Sequence, residues 1–289
     1  MTALARIRFG PSGNSRSFYE QGYKSSLFAP RWLHRMGLDA YEYSCSRGIR
    51  LDEEAAKELG MEAWMYDIAL SIHAPYYINP ASQEKDKRDR SKKYILDSLQ
   101  TARWMGATRV VFHLGACGKI SRKLALDTAV KLFSECLVLA KQMDLGDVHL
   151  CPETMGKRNQ LGTLDEVLSL CRLDESVIPT LDFGHMHALG LGSLKTRKDY
   201  ETILNQVENE LGYDRLKRVH IHFSRIEYTS AGEKKHRTLN ETQYGPDFEP
   251  LAELIYKKSM SPVIICESQG TMAEDALKLR ECYQSIQAM

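Results

Sequence analysis

The sequence predicts a single (β/α)8 barrel, an α/β fold of parallel strands, that extends over residues 1–289 as one domain. Eight short apolar runs alternate with amphipathic segments at a spacing that fits one strand plus one helix, which takes about 30 residues or more. A chain of 289 residues has an ordinary length for such a barrel, and no Pro/Gly/Ser-rich linker divides it. An open, doubly wound sheet is the alternative fold.

The predicted strands are near-continuous apolar runs, which is typical of strands buried on both faces. They lie near residues 5–10, 40–45, 68–75, 108–114, 147–153, 177–183, 216–223 and 262–267. A period of 3.6 residues predicts the helices between them, at 52–66, 88–105, 121–143, 163–173, 196–211, 247–259 and 272–287. Between residues 14 and 36 the helical pattern is weaker, and Pro30 interrupts it.

The composition narrows the class of protein. Hydrophobic residues make up 43% of the chain and charged residues 27%, which is typical of a folded soluble globule. The net charge of +1 neither requires nor excludes a nucleic-acid partner, because a local basic rim can coexist with a neutral total. The N-terminus has no apolar segment of signal-peptide length, and no run of about 18 apolar residues predicts a membrane span. Seven scattered cysteines without a Cys-x-x-Cys pair favour a reducing cytoplasm and no disulfides.

Histidines and carboxylates follow six different predicted strands. Intervals of 40, 40, 29, 38 and 47 residues separate His73, His113, Glu153, Asp182, His220 and Glu267. Barrel enzymes build their sites at the carboxyl ends of the strands, and a doubly wound sheet explains this distribution less well. Converging imidazoles and carboxylates repel or stay unsatisfied without a cation. The pattern therefore predicts a metalloenzyme that holds more than one ion.

Two strand ends each offer more than one candidate. After strand six, Asp182 and His185 are separated so that they can face different metals; alternatively, Asp182 caps the following turn. His187 is a weaker candidate, for packing or for support of a ligand. In strand seven, His220 and His222 point to the same face. We expect His220 to be the ligand and His222 to support it.

Further candidates lie in the segments that follow the strands. Residues 226–248 contribute His236 as one more imidazole, close to Lys234 in a basic stretch that is either solvated or in contact with phosphate. Tyr76 and Arg47 follow strands three and two, and we expect both on the rim of the barrel. Aromatic and guanidinium groups at such a rim can stack against or wedge into nucleic acid.

The chain resembles the endonuclease IV family of apurinic/apyrimidinic endonucleases over most of its length. The resemblance is carried by SIHAPYYIN, VVFHLGA, PETMGKRNQLGT, LDFGHMHALG, VHIHFS, KKHRTL and CES. It implies three zinc ions at the carboxyl face of the barrel, with manganese or iron as alternatives. It also implies DNA with abasic sites as the partner, and metal-assisted hydrolysis 5′ to the abasic site that leaves a 3′-hydroxyl. We expect a cytoplasmic monomer.

By position, the resemblance distributes eight side chains over the three ions. One ion takes His73, His113 and Glu153. A second takes Asp182, His220 and Glu267, with Glu153 as the bridge between the two. The third takes His185 and His236. Glu153 is also the expected catalytic residue, because a bridging carboxylate helps to hold the attacking water.

Two departures from the family pattern concern the third ion and the turn after it. The family usually has an Asp two residues before the last histidine, and Lys234 occupies that place here. We therefore expect the third site to lack its carboxylate, unless Glu233 substitutes; otherwise the ion binds weakly or Lys234 serves as a fixed positive charge. The following turn keeps an acid, Glu241, but not the flanking glycines of the family.

The main alternative is a single-metal sugar isomerase or epimerase of the xylose isomerase-like class. One ion would be held by Glu153, Asp182, His220 and Glu267, and the two glutamates would move a proton next to a carbonyl. Such an enzyme needs no ligands beyond those four, and the additional histidines favour the nuclease. A barrel that binds nucleic acid without catalysis is a third interpretation.

Overall fold

Eight parallel strands surround the centre of the protein in the computed structural model, which describes residues 6–45 and 48–288. The first seven are β1 (Arg8–Pro11), β2 (Ala40–Ser44), β3 (Ala69–His73), β4 (Arg109–Phe112), β5 (His149–Pro152), β6 (Thr180–Asp182) and β7 (His220–Phe223). An antiparallel hairpin follows, formed by β8 (Arg225–Thr229) and β9 (Gly232–Arg237). The eighth parallel strand is β10 (Val263–Cys266). The predicted α/β arrangement of eight parallel strands is confirmed.

Two four-stranded sheets make up the barrel. Strands β2, β3, β4 and β5 pair in that order, and we call this sheet the first half-barrel. Strands β6, β7, β10 and β1 form the second half-barrel. Isolated parallel bridges join the halves, between Glu153 and Thr180 at one seam and between Ser12 and Glu42 at the other. The strand order therefore returns to its start.

The helices connect the strands. They are α1 (Arg16–Glu20), α2 (Ala29–Met36), α3 (Glu53–Met65), α4 (Lys85–Trp104), α5 (Arg122–Gln142), α6 (Leu164–Cys171), α7 (Phe183–Leu189), α8 (Arg197–Leu211), α9 (Tyr213–Lys217), α10 (Glu249–Lys257) and α11 (Met272–Gln287). All seven predicted helices are present. Residues 14–36 contain two separate short helices, α1 and α2, and Pro30 lies in the first turn of α2, where proline costs no hydrogen bond.

Two elements near the carboxyl ends of the strands were not predicted. The hairpin falls in residues 224–246, for which the sequence pattern predicts neither a strand nor a helix, and α7 is too short for its periodicity to be recognised. Asp182 begins α7 by accepting the backbone N–H of His185 at 2.7 Å, which confirms the alternative that it caps the following turn. Within residues 6–45 and 48–288, none of the helices is long and apolar enough to cross a membrane.

Candidate metal centre

Three side chains from adjacent strands meet at the carboxyl end of the first half-barrel. His73 at the end of β3 lies with Nε2 3.2 Å from Glu153 Oε2, and Nε2 of His113 lies 3.1 Å from the same oxygen. Nδ1 of His73 donates to the carbonyl of Ala74 at 2.8 Å, and this hydrogen bond fixes the orientation of the ring. A proton on Nδ1 leaves a lone pair on Nε2, the state in which histidine binds a metal.

Glu153 also belongs to a second cluster, with Asp182, His222 and Glu267. One potential ligand atom from each of these four residues lies within 4.8 Å of the others. Nδ1 of His222 is 3.1 Å from Glu153 Oε1 and 3.5 Å from Glu267 Oε1. Glu153 thus turns one oxygen towards each cluster, which is the geometry of a bridging carboxylate. We call these six side chains the strand-borne centre: His73, His113, Glu153, Asp182, His222 and Glu267.

The histidine of the second cluster is His222, and the structure places His220, the expected ligand, away from these carboxylates. Both side chains point into the barrel because they are two residues apart on β7. His222 lies nearer the carboxyl end and pairs in register with Asp182. His220 lies deeper and fully buried, with Nε2 3.0 Å from Glu42 Oε2. Periodicity shows that both histidines face inward but not which of them is level with the other strand ends.

A third cluster, which we call the hairpin-borne cluster, joins His185 of α7 with Glu233 and His236 of β9. Nε2 of His185 lies 3.5 Å from Glu233 Oε2, and Nε2 of His236 lies 3.9 Å from Glu233 Oε1. The other ring nitrogens are hydrogen-bonded behind the cluster. Nδ1 of His185 donates to the Thr154 carbonyl at 3.0 Å, and Nδ1 of His236 lies 2.8 Å from Ser224 Oγ. Both imidazoles therefore present Nε2 towards Glu233.

A β-bulge brings Glu233 and His236 to the same side of the hairpin. Residues three apart on a regular strand face opposite sides. Strand β9 has one extra residue, Lys234, opposite the step from Glu227 to Tyr228 in β8. An extra residue shifts the alternation by one, so that Glu233 and His236 both face His185.

The hairpin-borne cluster therefore has a carboxylate, as in the alternative in which Glu233 substitutes for the Asp of the family. Lys234 points to the outer side of the hairpin, where Nζ lies 2.6 Å from Glu227 Oε1 and the side chain is 59% exposed. It is not among the residues that line the cavity described next, so its position does not support the expected contact with substrate.

A cavity of about 310 Å³ opens over the clusters. Its wall includes Tyr76, which is 62% exposed at the rim, as expected. Lys157 also lines it, with Nζ 3.9 Å from Glu233 Oε1, although sequence analysis did not select this residue for substrate contact. Arg47 lies outside the described residues.

Two further residues, His187 and Glu42, lie outside the three clusters, and the packing role of His187 agrees with the expectation. Nδ1 of His187 accepts the N–H of Leu194 at 3.2 Å, and its ring packs edge-on against Tyr228, so it supports local packing. Glu42 of β2 was not selected from the sequence, although it lies under His222. Its signal was a carboxylate within the apolar run AYEYS, because such a group is costly to bury without a partner.

Burial and neighbouring charges set the proton affinities in the centre. Burial raises the pKa of Asp182 to about 7, and Glu267 and Glu153 add to the rise while His185 opposes it. Burial acts to lower the pKa of His73, but the neighbouring carboxylates, Glu153 first among them, outweigh it and raise that pKa to about 9. Burial opposes ionisation of Glu153, yet the surrounding histidines hold its pKa well below the usual range.

The donor set fits divalent transition metals. Oδ2 of Asp182 is buried and has no hydrogen-bond partner in the part of the chain that the structure describes. Such an oxygen beside Glu153 and Glu267 is costly unless a cation compensates for it. Imidazole nitrogens and carboxylate oxygens are ligands that zinc accepts, and manganese and iron accept them as well.

Comparison with known proteins defines the family. A family model described as a xylose isomerase-like TIM barrel matches residues 30–284. The chain belongs to this family. An uncharacterized protein of Methanocaldococcus jannaschii is 32% identical to this family member over 254 residues, which cover 88% of the chain and 90% of that protein.

Proteins described as probable endonuclease 4 are more distant relatives within this comparison. The one from Aquifex aeolicus is 27% identical over 221 residues, covering 74% of this chain and 76% of that protein. The one from Ureaplasma urealyticum is 27% identical over 192 residues, and the chain spans 60% of that relative's length.

Solved structures with the same barrel include enzymes of two kinds. Endonuclease IV from Thermus thermophilus has a TM-score of 0.68 at 20% identity, covering 92% of this chain and 96% of that one. A D-tagatose 3-epimerase-like protein has a TM-score of 0.67 at 22% identity, covering 87% and 89%. At these identities the likeness shows the fold of the xylose isomerase-like TIM barrel and no more.

Proposed function

We propose that this xylose isomerase-like barrel hydrolyses phosphodiester bonds at abasic sites in DNA, with two or three divalent metal ions in its centre. The observation that carries the proposal is the position of Glu153. One of its oxygens faces His73 and His113, while the other faces His222. A centre built for one ion has no need of a carboxylate shared between two clusters. The relatives described as probable endonuclease 4 add support.

Each cluster would hold one ion. The first ion would be bound by His73, His113 and Glu153. The second would be bound by Glu153, Asp182, His222 and Glu267. The third would be bound by His185, Glu233 and His236. Divalent ions in such sites supply Lewis acidity and lower the pKa of water, which hydrolysis at neutral pH requires.

The side chains around the cavity would place the substrate. The Lys157 ammonium, half-exposed at the wall, would attract the phosphate that enters. The exposed ring of Tyr76 would stack in the gap that the missing base leaves in the duplex. An abasic sugar is easy to turn out of the helix because no base pair has to be broken.

The first test measures metal content and cleavage together. The chain is purified without added metal or chelator and analysed by mass spectrometry for metals. A duplex with one tetrahydrofuran abasic analogue is then offered beside the undamaged duplex. We expect two or three transition-metal ions per chain, and a cut 5′ to the analogue that leaves a 3′-hydroxyl a polymerase can extend. Full metal content without any cut would contradict the proposal.

The alternative function is a single-metal sugar epimerase or isomerase. The observation in its favour is that Glu153, Asp182, His222 and Glu267 form a four-donor set by themselves. The structural likeness to a D-tagatose 3-epimerase-like protein is consistent with it. In that enzyme the two glutamates would exchange a proton with the carbon next to a carbonyl.

One variant separates the two functions. His236→Gln removes a donor from the hairpin-borne cluster and leaves the four-donor set intact. We expect it to abolish most cleavage if the nuclease proposal is correct, and to leave ketose epimerisation unchanged if the alternative is correct. His187→Gln is the matched control, because this histidine lies near the hairpin but outside the clusters. Cleavage by His236→Gln at the rate of the control would contradict a role for the third ion.

A further inference from the structure

A buried polar network lies inside the barrel beneath the strand-borne centre. Its members, which come from four strands and are all buried, are Glu42, Ser71, Arg109, His220 and His222. Polar groups inside a barrel are costly unless they satisfy one another. The hydrogen bonds of this network are directional enough to place individual protons.

Arg109 determines the tautomer of His220. Its NH1 lies 3.3 Å from His220 Nδ1, and the guanidinium also donates to the carbonyls of Val219 at 3.2 Å and Arg218 at 2.8 Å. A guanidinium has donors and no acceptor, so Nδ1 of His220 must accept. The proton of the neutral ring is therefore on Nε2.

The proton on Nε2 of His220 determines which oxygen of Glu42 is left to face His222. Nε2 of His220 donates to Glu42 Oε2 at 3.0 Å, and Ser71 Oγ donates to the same oxygen at 2.9 Å. The other oxygen, Oε1, lies 3.1 Å from His222 Nε2. Among the described residues neither of these two buried atoms has a hydrogen-bond partner. Each of these two atoms is therefore the available hydrogen-bond partner of the other.

The orientation of His222 differs from that of His73 and His185. Those two rings donate Nδ1–H to a backbone carbonyl and present Nε2. His222 presents Nδ1 towards Glu153 and turns Nε2 to a carboxylate instead. Any backbone carbonyl near a ring can accept its N–H, whereas the group that faces Nε2 of His222 is one particular side chain, Glu42.

We propose that Glu42 is a positioning residue that fixes the tautomer and the ring orientation of His222, and that Arg109 and His220 hold Glu42 in place for this purpose. With the proton on Nε2, the lone pair of Nδ1 faces Glu153 and Glu267. A carboxylate behind a metal-binding histidine orients the ring and increases its basicity. The inference rests on the proposed metal centre, and its tests read proton positions and zinc affinity rather than DNA cleavage.

The first test uses the wild-type protein labelled with ¹⁵N-histidine. Long-range ¹H–¹⁵N correlation spectra, assigned with His220→Gln and His222→Gln, report which ring nitrogen carries a proton. In the metal-free protein we expect His220 as the Nε2–H tautomer. After addition of zinc we expect His222 to keep a proton on Nε2 and to show a metal-shifted Nδ1. A proton on Nδ1 of either ring in the zinc-loaded protein would overturn the proposal.

The second test measures zinc affinity of Glu42→Gln by competition with a chromophoric chelator. We expect the affinity of the strand-borne centre to fall by roughly 10- to 100-fold. The control is Asp275→Asn, which changes another buried carboxylate, one that accepts the N–H of Leu239 at 2.8 Å. It should lower thermal stability and leave zinc affinity unchanged.

Each other outcome has a distinct meaning. Unchanged zinc affinity in folded Glu42→Gln would overturn the proposal, and so would loss of one whole zinc equivalent with the rest unchanged, because Glu42 would then be a ligand. If the variant does not fold, the spectra of the wild-type protein still decide. If the wild-type protein binds no zinc, the proposed function fails, while the tautomer of His220 in the metal-free protein still tests the network.

Discussion

The strand-borne centre and the hairpin-borne cluster reach similar chemistry by different structural means. The first takes its side chains from the ends of barrel strands, and register alone places Asp182 beside His222. The second depends on a short helix and on a bulge in an added hairpin. Two backbone contacts attach that hairpin to the loop after β5: the N–H of Glu233 donates to Gly156 at 2.9 Å, and the N–H of Arg158 donates to Ala231 at 3.2 Å.

The difference shows which features of a metal site a parallel sheet can determine by itself. A parallel sheet defines the height and the direction of each side chain, so neighbouring ligands need further support only for the orientation of their rings, as Glu42 would give to His222. A hairpin defines only its own geometry, and its position relative to the barrel has to come from loop contacts. We therefore expect an ion in the hairpin-borne cluster to leave first under mild chelation.

The largest effect should come from the residue that the two clusters of the strand-borne centre share. Glu153→Gln keeps the shape of the side chain and removes the negative charge that faces His73, His113 and His222. We expect the rate of cleavage to fall by about 10³-fold or more, which corresponds to several kcal/mol of activation free energy. Single-turnover assays on metal-loaded protein measure this. Glu241→Gln, which changes an acid bonded to Thr238 outside the clusters, should cleave nearly normally.

Insertion of one alanine between Glu227 and Tyr228 tests the bulge. The inserted residue gives Lys234 a partner on β8, so that β9 alternates regularly and Glu233 and His236, three residues apart, face opposite sides. We expect the protein to lose one metal ion and roughly 10- to 100-fold in cleavage rate, while the strand-borne centre keeps its ions. Lys234→Ala keeps the bulge and removes a largely exposed side chain, so its metal content and rate should match the wild type. Equal metal content in the insertion variant would show that the hairpin-borne cluster holds no ion.

Gly156→Ala tests the contact between the hairpin and the barrel. An added Cβ would lie 2.7 Å from Glu233 Cβ and 3.2 Å from His185 Cα, so one of them must move. We expect stability to fall by about 1–3 kcal/mol, with a weaker third ion and intact first and second ions. Calorimetry and metal titration measure both. Gly146→Ala is the control, because the nearest atom to its added Cβ is 3.9 Å away.

The smallest effect concerns pH and the metal-free protein. Asp182 holds its proton up to a pKa of about 7, and stability is lost as pH rises towards that value because the unfolded carboxyl ionises more easily. His73, with a pKa raised to about 9, contributes stability below pH 6.5 that is lost as pH rises through 9. His73 predicts a melting temperature that falls by about a few degrees between pH 6.5 and 9 in metal-free protein, and Asp182 adds the part of its loss that remains between pH 6.5 and 7.

Zinc should remove most of that dependence, because the cation takes the place of the protons between the carboxylates. Differential scanning calorimetry with and without zinc, at four pH values, makes the comparison. A metal-free melting temperature that rises with pH would contradict the assignment of these two groups.

The barrel fold is easier to predict from the sequence than the details of its site. Apolar runs and 3.6-residue periods predict the parallel strands and the long helices because burial acts on every residue of such elements. The hairpin has mixed, partly exposed sequences, RIEYT and GEKKHR, and no hydrophobic pattern distinguishes these from a loop. The choice between His220 and His222 depends on depth along a strand, and the place of Lys234 depends on a bulge. Neither depth nor an extra residue changes the composition of the segment.

The seams of the barrel give the centre a mechanical role. The two half-barrels meet through isolated bridges, and one of these bridges is formed by Glu153 itself. The four-donor set takes Glu153 from the first half and Asp182, His222 and Glu267 from the second. An ion bound there is a cross-link between two halves of one chain, in the manner of a disulfide between distant segments. Metal occupancy would then govern how readily the cylinder opens along that seam, independently of any chemistry performed on a substrate.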